Sequence, residues 1–120
     1  MSGELSFIEF GVEDAHKGRV FYESLFGWRF DAGPSDQGFV ITLPNIAGGM
    51  HGGDPGATAY PFFRVDDLDQ AVERVKELGG SVDEIDIEGD EAQQAQFGRF
   101  KMCHDDQGSH FGLHQPPTPM

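Results

Sequence analysis

Phe7-Ile8-Glu9-Phe10-Gly11-Val12-Glu13-Asp14 is answered 53 residues later by Tyr60-Pro61-Phe62-Phe63-Arg64-Val65-Asp66-Asp67. Each stretch is an apolar, β-compatible run that closes on an aspartate. That aspartate is suited to cap a helix, because its side chain accepts the first unpaired backbone N–H groups. The shift of 53 continues into the helices that follow: Leu25 meets Leu78 and Gly27 meets Gly80. Further on the offset grows to 63, so that Gly49 meets Gly112, Met50 meets Leu113 and His51 meets His114. The chain reads as one unit written twice, with about ten extra residues in the second copy.

Working outward, the first copy begins with a strand over Glu4 to Val12. A helix follows, with Val20, Phe21, Tyr22, Leu25 and Phe26 as its apolar face and Gly27 as its stop. Strands then begin at Trp28 and run over Phe39 to Leu43 and Ile46 to Met50. A glycine-rich loop runs from His51 to Thr58. In the second copy a strand spans Tyr60 to Val65. Leu68, Ala71, Val72, Val75 and Leu78 keep helical spacing until Gly79-Gly80. Strands are expected over Ser81 to Ile87, Gly98 to His104 and Ser109 to His114, the last two joined by a turn at Asp105 to Gly108. The order is βαβββ twice, an α+β fold. The first module covers about residues 4–51, the second about 58–115, and Pro116 begins a tail that cannot continue a ladder.

The 120 residues suffice for one core-bearing domain. The single cysteine, Cys103, excludes a disulfide framework and a Cys-rich zinc module. No apolar run approaches the length of a membrane span, and the start of the chain lacks signal-peptide character, so a cytoplasmic address is expected. Asp and Glu number 21 against 8 Lys and Arg, a formal net charge of −13. Such a surface repels phosphate backbones and anionic lipid, which argues against nucleic acid and membrane as partners.

Three strings carry a family resemblance. Phe21-Tyr22-Glu23-Ser24-Leu25-Phe26-Gly27-Trp28 is similar to the first helix and exit of the vicinal-oxygen-chelate superfamily, which holds glyoxalases, extradiol dioxygenases and bleomycin-resistance proteins. Val65-Asp66-Asp67-Leu68-Asp69-Gln70-Ala71 is similar to its second helix entry. Asp105-Asp106-Gln107-Gly108-Ser109-His110-Phe111-Gly112-Leu113 is similar to its final hairpin, with Asp106 where proline is usual. The resemblance implies two tandem modules whose curled sheets enclose a cavity. In metal-dependent members, His, Gln or Glu from the first and last strands of the modules hold a divalent ion. Those positions fall here on Phe7, Tyr60, Gly49 and Gly112, which offer no good donor. The resemblance therefore implies a metal-free, cofactor-free relative of the bleomycin-resistance type, with a small organic ligand, and family members of this size suggest a homodimer. A lyase or isomerase with a rearranged divalent-metal site is the competing reading, and a fold-only dimerisation module is a third.

Phe7, Trp28, Tyr60 and Phe62 are the candidate walls of a ligand site. Arg64, His110 and His114 are candidate polar contacts. Alternation in a strand puts Phe7 and Glu9 on one face, Tyr60, Phe62 and Arg64 on another, and His110, Gly112 and His114 on a third. Glu9, set in an apolar strand, is the candidate catalytic residue, a general base if it is buried and a partner for Arg64 if it is not. A displaced polar site of Glu9, His51, His110 and His114 is compatible with the same alternation. His110 and His114 are about 13 Å apart along a strand, too far to share an ion. His16 and His104 are expected in solvent. The acid-rich segment Asp83 to Glu91 lacks the final carboxylate of a calcium loop and is expected as a solvated loop.

An uncompensated negative field repels itself, and salt screens that repulsion over roughly 8–10 Å. The melting temperature is expected to rise as sodium chloride goes from low to near-molar concentration in a thermal-denaturation series. A flat or falling curve would show that local ion pairs already cancel the field.

Overall fold

In the computed structural model, residues 3–55, 58–84, 87 and 89–117 are described. They contain eight strands and three helices: β1 Leu5–Gly11, α1 Ala15–Phe26, β2 Arg29–Ala32, β3 Gly38–Thr42, β4 Ala47–His51, β5 Ala59–Arg64, α2 Leu68–Glu77, β6 Ser81–Val82, α3 Glu91–Phe97, β7 Arg99–His104 and β8 His110–Gln115. The chain forms two compact units, one of Phe7–Pro61 and one of the residues up to Ser6 together with those from Phe62 onward.

Each unit repeats the same strand arrangement, β2-β3-β4-β1 in the first and β6-β7-β8-β5 in the second. The first strand of each module runs parallel to the last, and the remaining pairs are antiparallel. Register reproduces the two sequence offsets: Glu9 lies opposite Gly49, and Phe62 lies opposite Gly112. The α+β fold of two βαβββ modules read from the sequence is therefore the fold of the chain.

Helices α1 and α2 start where aspartate caps them. Asp14 accepts from the His16 and Lys17 amides, and Asp67 accepts from the Gln70 amide. A glutamine holds each first helical residue as well: Gln37 Oε1 accepts from the Ala15 amide at 3.0 Å, and Gln115 Oε1 accepts from the Leu68 amide at 2.7 Å. Gly27 ends α1 at a φ of 72°, a left-handed conformation that a side chain disfavours.

The core of the first unit gathers Ala15, Phe30, Phe39, Ile41 and Met50, with Phe10, Val12, Tyr22, Trp28 and Leu43 packed against it. Helix α1 sits close to the sheet through small residues. A Cβ on Gly18 would lie 2.8 Å from Met50 Sδ. This seating corrects the expected helix face, since Val20, Phe21, Leu25 and Phe26 stay 57–64% exposed and only Ala15 is fully buried. The second unit packs Leu68, Cys103 and Leu113 with Val65, Ala71, Val72, Val75, Val82 and Phe111. Burial pushes the Cys103 thiol up to about 11, so it is a packing residue and not a nucleophile.

Two expectations for the acid-rich segment need correction. Strand β6 stops at Val82 and does not run to Ile87. Helix α3 follows from Glu91, the last residue of the segment read as a loop, through residues to which the sequence reading assigned no element. Asp90 and Gln93 form a reciprocal capping box there, which satisfies two amides that a loop would leave to water. Ile85, Asp86 and Glu88, also part of that reading, lie outside the described residues.

At Gly112 an added Cβ would overlap the Phe62 ring. Gly112→Val is expected to lower stability by about 1–3 kcal/mol, the usual cost of overfilling a packed site. Chemical denaturation of the variant measures this. An unchanged midpoint would show that Phe62 moves aside at no cost.

Candidate functional site

Alternation in β1 divides its side chains between two faces. Phe10 packs toward α1, which leaves Phe7, Glu9 and Gly11 on the open face of the first unit. On β4 the same rule turns Met50 to the helix and Gly49 and His51 to the other face, with Gly49 paired to Glu9 and His51 to Gly11.

Glycine makes the space for polar groups on this face. A Cβ on Gly49 would overlap Glu9 Oε1 and lie 3.2 Å from Phe7 Cζ. A Cβ on Gly11 would overlap Asp54 Oδ2 and lie 3.1 Å from His51 Nε2. Into this space fold four titratable side chains. Glu9 Oε2 lies 2.6 Å from His51 Nδ1, and Asp54 Oδ2 lies 3.0 Å from His51 Nε2. The Tyr60 hydroxyl donates to Asp54 Oδ2 at 2.9 Å, while its ring lies 6.1 Å from the His51 ring at 22°.

The backbone fixes this arrangement. Asp54 is held by bonds from the Gly53 amide to the Glu13 carbonyl and from its own amide to the Val12 carbonyl. The Gly11 amide reaches the Thr58 carbonyl, which draws the start of β5 alongside β1.

A carboxylate on each nitrogen determines the state of the ring. An ionised carboxylate only accepts hydrogen bonds, so both nitrogens are satisfied only if both carry protons. The Glu9 bond, opposed by partial burial and helped by Asp54, raises the His51 pKa above 6.5. The second carboxylate oxygen of Glu9, Oε1, has no hydrogen-bond donor among the described residues and stands over bare Gly49 backbone beside Phe7. The Glu9 side chain is 23% exposed. Burial and Asp54 together raise the Tyr60 pKa, so its hydroxyl keeps its proton at neutral pH.

The candidate residues therefore divide. Phe7, Glu9 and Tyr60 come together on the open face of the first unit, joined by His51. Tyr60 serves there as a hydroxyl donor as well as a ring. Trp28 lies elsewhere, stacked on Tyr22 at 5.5 Å and Phe26 at 4.8 Å on the helix side of the same unit. In the second unit Phe62 is 3% exposed and packs edge-on against Phe100 at 5.3 Å. Arg64 is exposed, with its backbone paired to Gly3 and Glu4.

His114 is buried and neutral. Its Nε2 donates to the Phe97 carbonyl at 2.9 Å, so its Nδ1 accepts from the Ser6 hydroxyl at 2.9 Å, and the ring stacks on Phe100 at 4.4 Å. Burial lowers its pKa. His110 is exposed at the far end of β8, its ring 4.1 Å from that of His104. His104 is not simply solvated, since its Nδ1 lies 3.4 Å from Asp83. His16 is exposed, as expected, though it rests edge-on against Phe39.

Asp54 is the site residue that the sequence reading missed. It lies in an irregular loop, where no periodicity points a side chain to either face. Its proximity to His51 in sequence is the one available signal.

The model of the Glyoxalase/Bleomycin resistance protein/Dioxygenase superfamily matches residues 4–111. The chain belongs to that superfamily. Among curated proteins none matches in sequence. Solved structures agree on the fold. A hypothetical protein from Bacillus halodurans C-125 is similar at a TM-score of 0.70 and 13% identity, over 98% of this chain and 97% of that one. A variant of the Streptomyces coelicolor methylmalonyl-CoA epimerase, in complex with 2-nitronate-propionyl-CoA, gives 0.66 and 14%, over 98% and 100%. A catechol 2,3-dioxygenase gives 0.66 and 16%, over 97% of this chain and 40% of its own.

Because folding raises the His51 pKa, the native state holds that proton more tightly than the unfolded chain does. The stabilisation is complete below pH 6.5 and fades as pH rises through the folded value. The stability gap between wild type and His51→Gln is therefore expected to be larger near about pH 6 than near about pH 9 in denaturation curves. A gap that stays constant or widens with pH would contradict an imidazolium held by Glu9 and Asp54.

Proposed function

We propose that this protein binds a small organic molecule on the open face of its first module and does so without a metal ion. The observation that carries the reading is Glu9. Its side chain fills the space above Gly49, with one carboxylate oxygen fixed by His51 and the other beside Phe7 without a donor among the described residues. A pocket that pairs an aromatic surface with one well-placed polar group is the usual form of a small-molecule site.

The donor set does not suit a metal. Both His51 nitrogens point at carboxylates, so the ring has no lone pair to offer. Among the described residues no three His, Cys, Asp or Glu side chains are grouped to hold an ion. By the family resemblance, Phe7, Gly49, Tyr60 and Gly112 fall at the positions where metal-dependent members carry ligands. The competing lyase or isomerase would need a rearranged donor set, which Glu9, His51 and Asp54 do not form. The epimerase relative holds a coenzyme A compound. A net charge of −13 works against so anionic a ligand here.

Two measurements test this reading. Elemental analysis of protein purified without chelator is expected to find far less than one transition-metal ion per chain. A library screened by thermal shift and amide NMR is expected to give ligands that raise the melting temperature and perturb Phe7, Glu9 and Gly49. One tightly held zinc, nickel or iron per chain, or ligands that map only to other surfaces, would overturn it.

A further inference from the structure

Glu9, His51 and Asp54 form a charge-coupled receptor whose capacity for positive charge depends on one proton. Loss of the His51 proton leaves the cluster one charge more negative, with a carboxylate still at each ring nitrogen. Each element around the ring contributes to this count. Strand β1 supplies Glu9, the loop after β4 supplies Asp54, and β5 supplies Tyr60, whose hydroxyl stays neutral. On β3 the residue paired with His51 is Gly38, which carries no charge.

The second oxygen of Glu9, Oε1, is an acceptor that calls for a donor. It lies over Gly49, whose backbone is buried, with the edge of Phe7 beside it. A carboxylate oxygen beside an aromatic ring suits a group that is cationic, donates hydrogen bonds and has a planar apolar body.

We infer that the ligand of this site is an organic cation of the protonated amine or amidine class, donating to Glu9 Oε1 over Gly49, and that loss of the His51 proton strengthens its binding. The inference rests on the reading of this face as a ligand site and adds the ligand's charge and its linkage to pH. As pH rises the imidazolium becomes neutral, and the cluster, one charge more negative, attracts the cation more strongly. A neutral ligand would feel this change weakly, and an anion would feel it with opposite sign.

The test uses three probes of similar shape on the full chain: benzamidinium, benzyl alcohol and benzoate. Calorimetry measures their affinities from about pH 5.5 to about pH 8.5, a range in which imidazole titrates and the charges of the probes do not change. Amide NMR reports whether each perturbs Gly11 and Gly49. Benzamidinium is expected to bind best, with an affinity that rises about three- to tenfold across the range, the size of effect that one added charge a few ångströms away produces in partly screened surroundings. His51→Gln should bind benzamidinium with little pH dependence, and Glu9→Gln should lose the preference for the cation. A circular-dichroism spectrum matching wild type shows that each variant is folded.

Preference for benzoate, a flat or falling benzamidinium curve, or a slope that survives His51→Gln would overturn the inference. Benzyl alcohol or benzoate perturbing Gly11 and Gly49 while benzamidinium does not would overturn it and leave the ligand site standing. Perturbation by none of the three also rejects the cation assignment, and the library screen then decides separately whether the face binds any small molecule.

Discussion

In both modules the first strand lies parallel to the last, and a glycine of the last strand faces a larger residue of the first. Glu9 stands opposite Gly49, and Phe62 stands opposite Gly112. A Cβ at either glycine would overlap the side chain across from it. What the open face of each module contains depends on this pairing. In the second module the space is filled by a buried ring, which joins Phe100 and His114 in an aromatic layer. In the first it is filled by a carboxylate, which needs a partner and finds His51. One difference in residue type at a repeated position makes one face apolar and the other a charged site.

The repeat-related histidines show how surroundings set chemistry at equivalent positions. His51 ends β4, and His114 lies one residue before the end of β8. His51 meets a carboxylate at each nitrogen, and its proton is held. His114 meets a hydroxyl, a carbonyl and the face of Phe100, and its proton is released. A buried imidazole with neutral partners is most stable uncharged, because no nearby charge offsets its desolvation. The asymmetry places the responsive group of this protein in the first module and leaves the second with a structural histidine.

Most of the fold was legible in the sequence because it is written twice. The offsets of 53 and 63 recur as strand register, with Glu9 opposite Gly49 and Phe62 opposite Gly112. The aspartates at 14 and 67 cap helices as their position suggests. Helix α3 was hidden by the abundance of acids around it, although the Asp90 and Gln93 spacing carries a capping signal. Exposure of Phe21 and Leu25 was hidden because composition marks an apolar residue and not whether the helix seats by that residue or by Gly18. At the site, alternation placed Phe7 with Glu9, yet the partnership of Glu9 with His51 required two strands in register and a loop to bring Asp54 across. Trp28 shows the converse, a large aromatic residue that suggested a ligand wall and packs instead beneath α1.

The chemistry of the first module turns on the protonation of His51. Its most direct measurement is a pH titration of ring nitrogen and carbon shifts by NMR in protein labelled at histidine. His51 is predicted to carry protons on both nitrogens at neutral pH and to titrate above 6.5, while His114 in the same spectra stays a neutral Nε2–H tautomer and titrates below that value. If His51 instead titrates at or below 6.5 with one nitrogen unprotonated at neutral pH, Glu9 and Asp54 do not hold it as an imidazolium and the central claim fails.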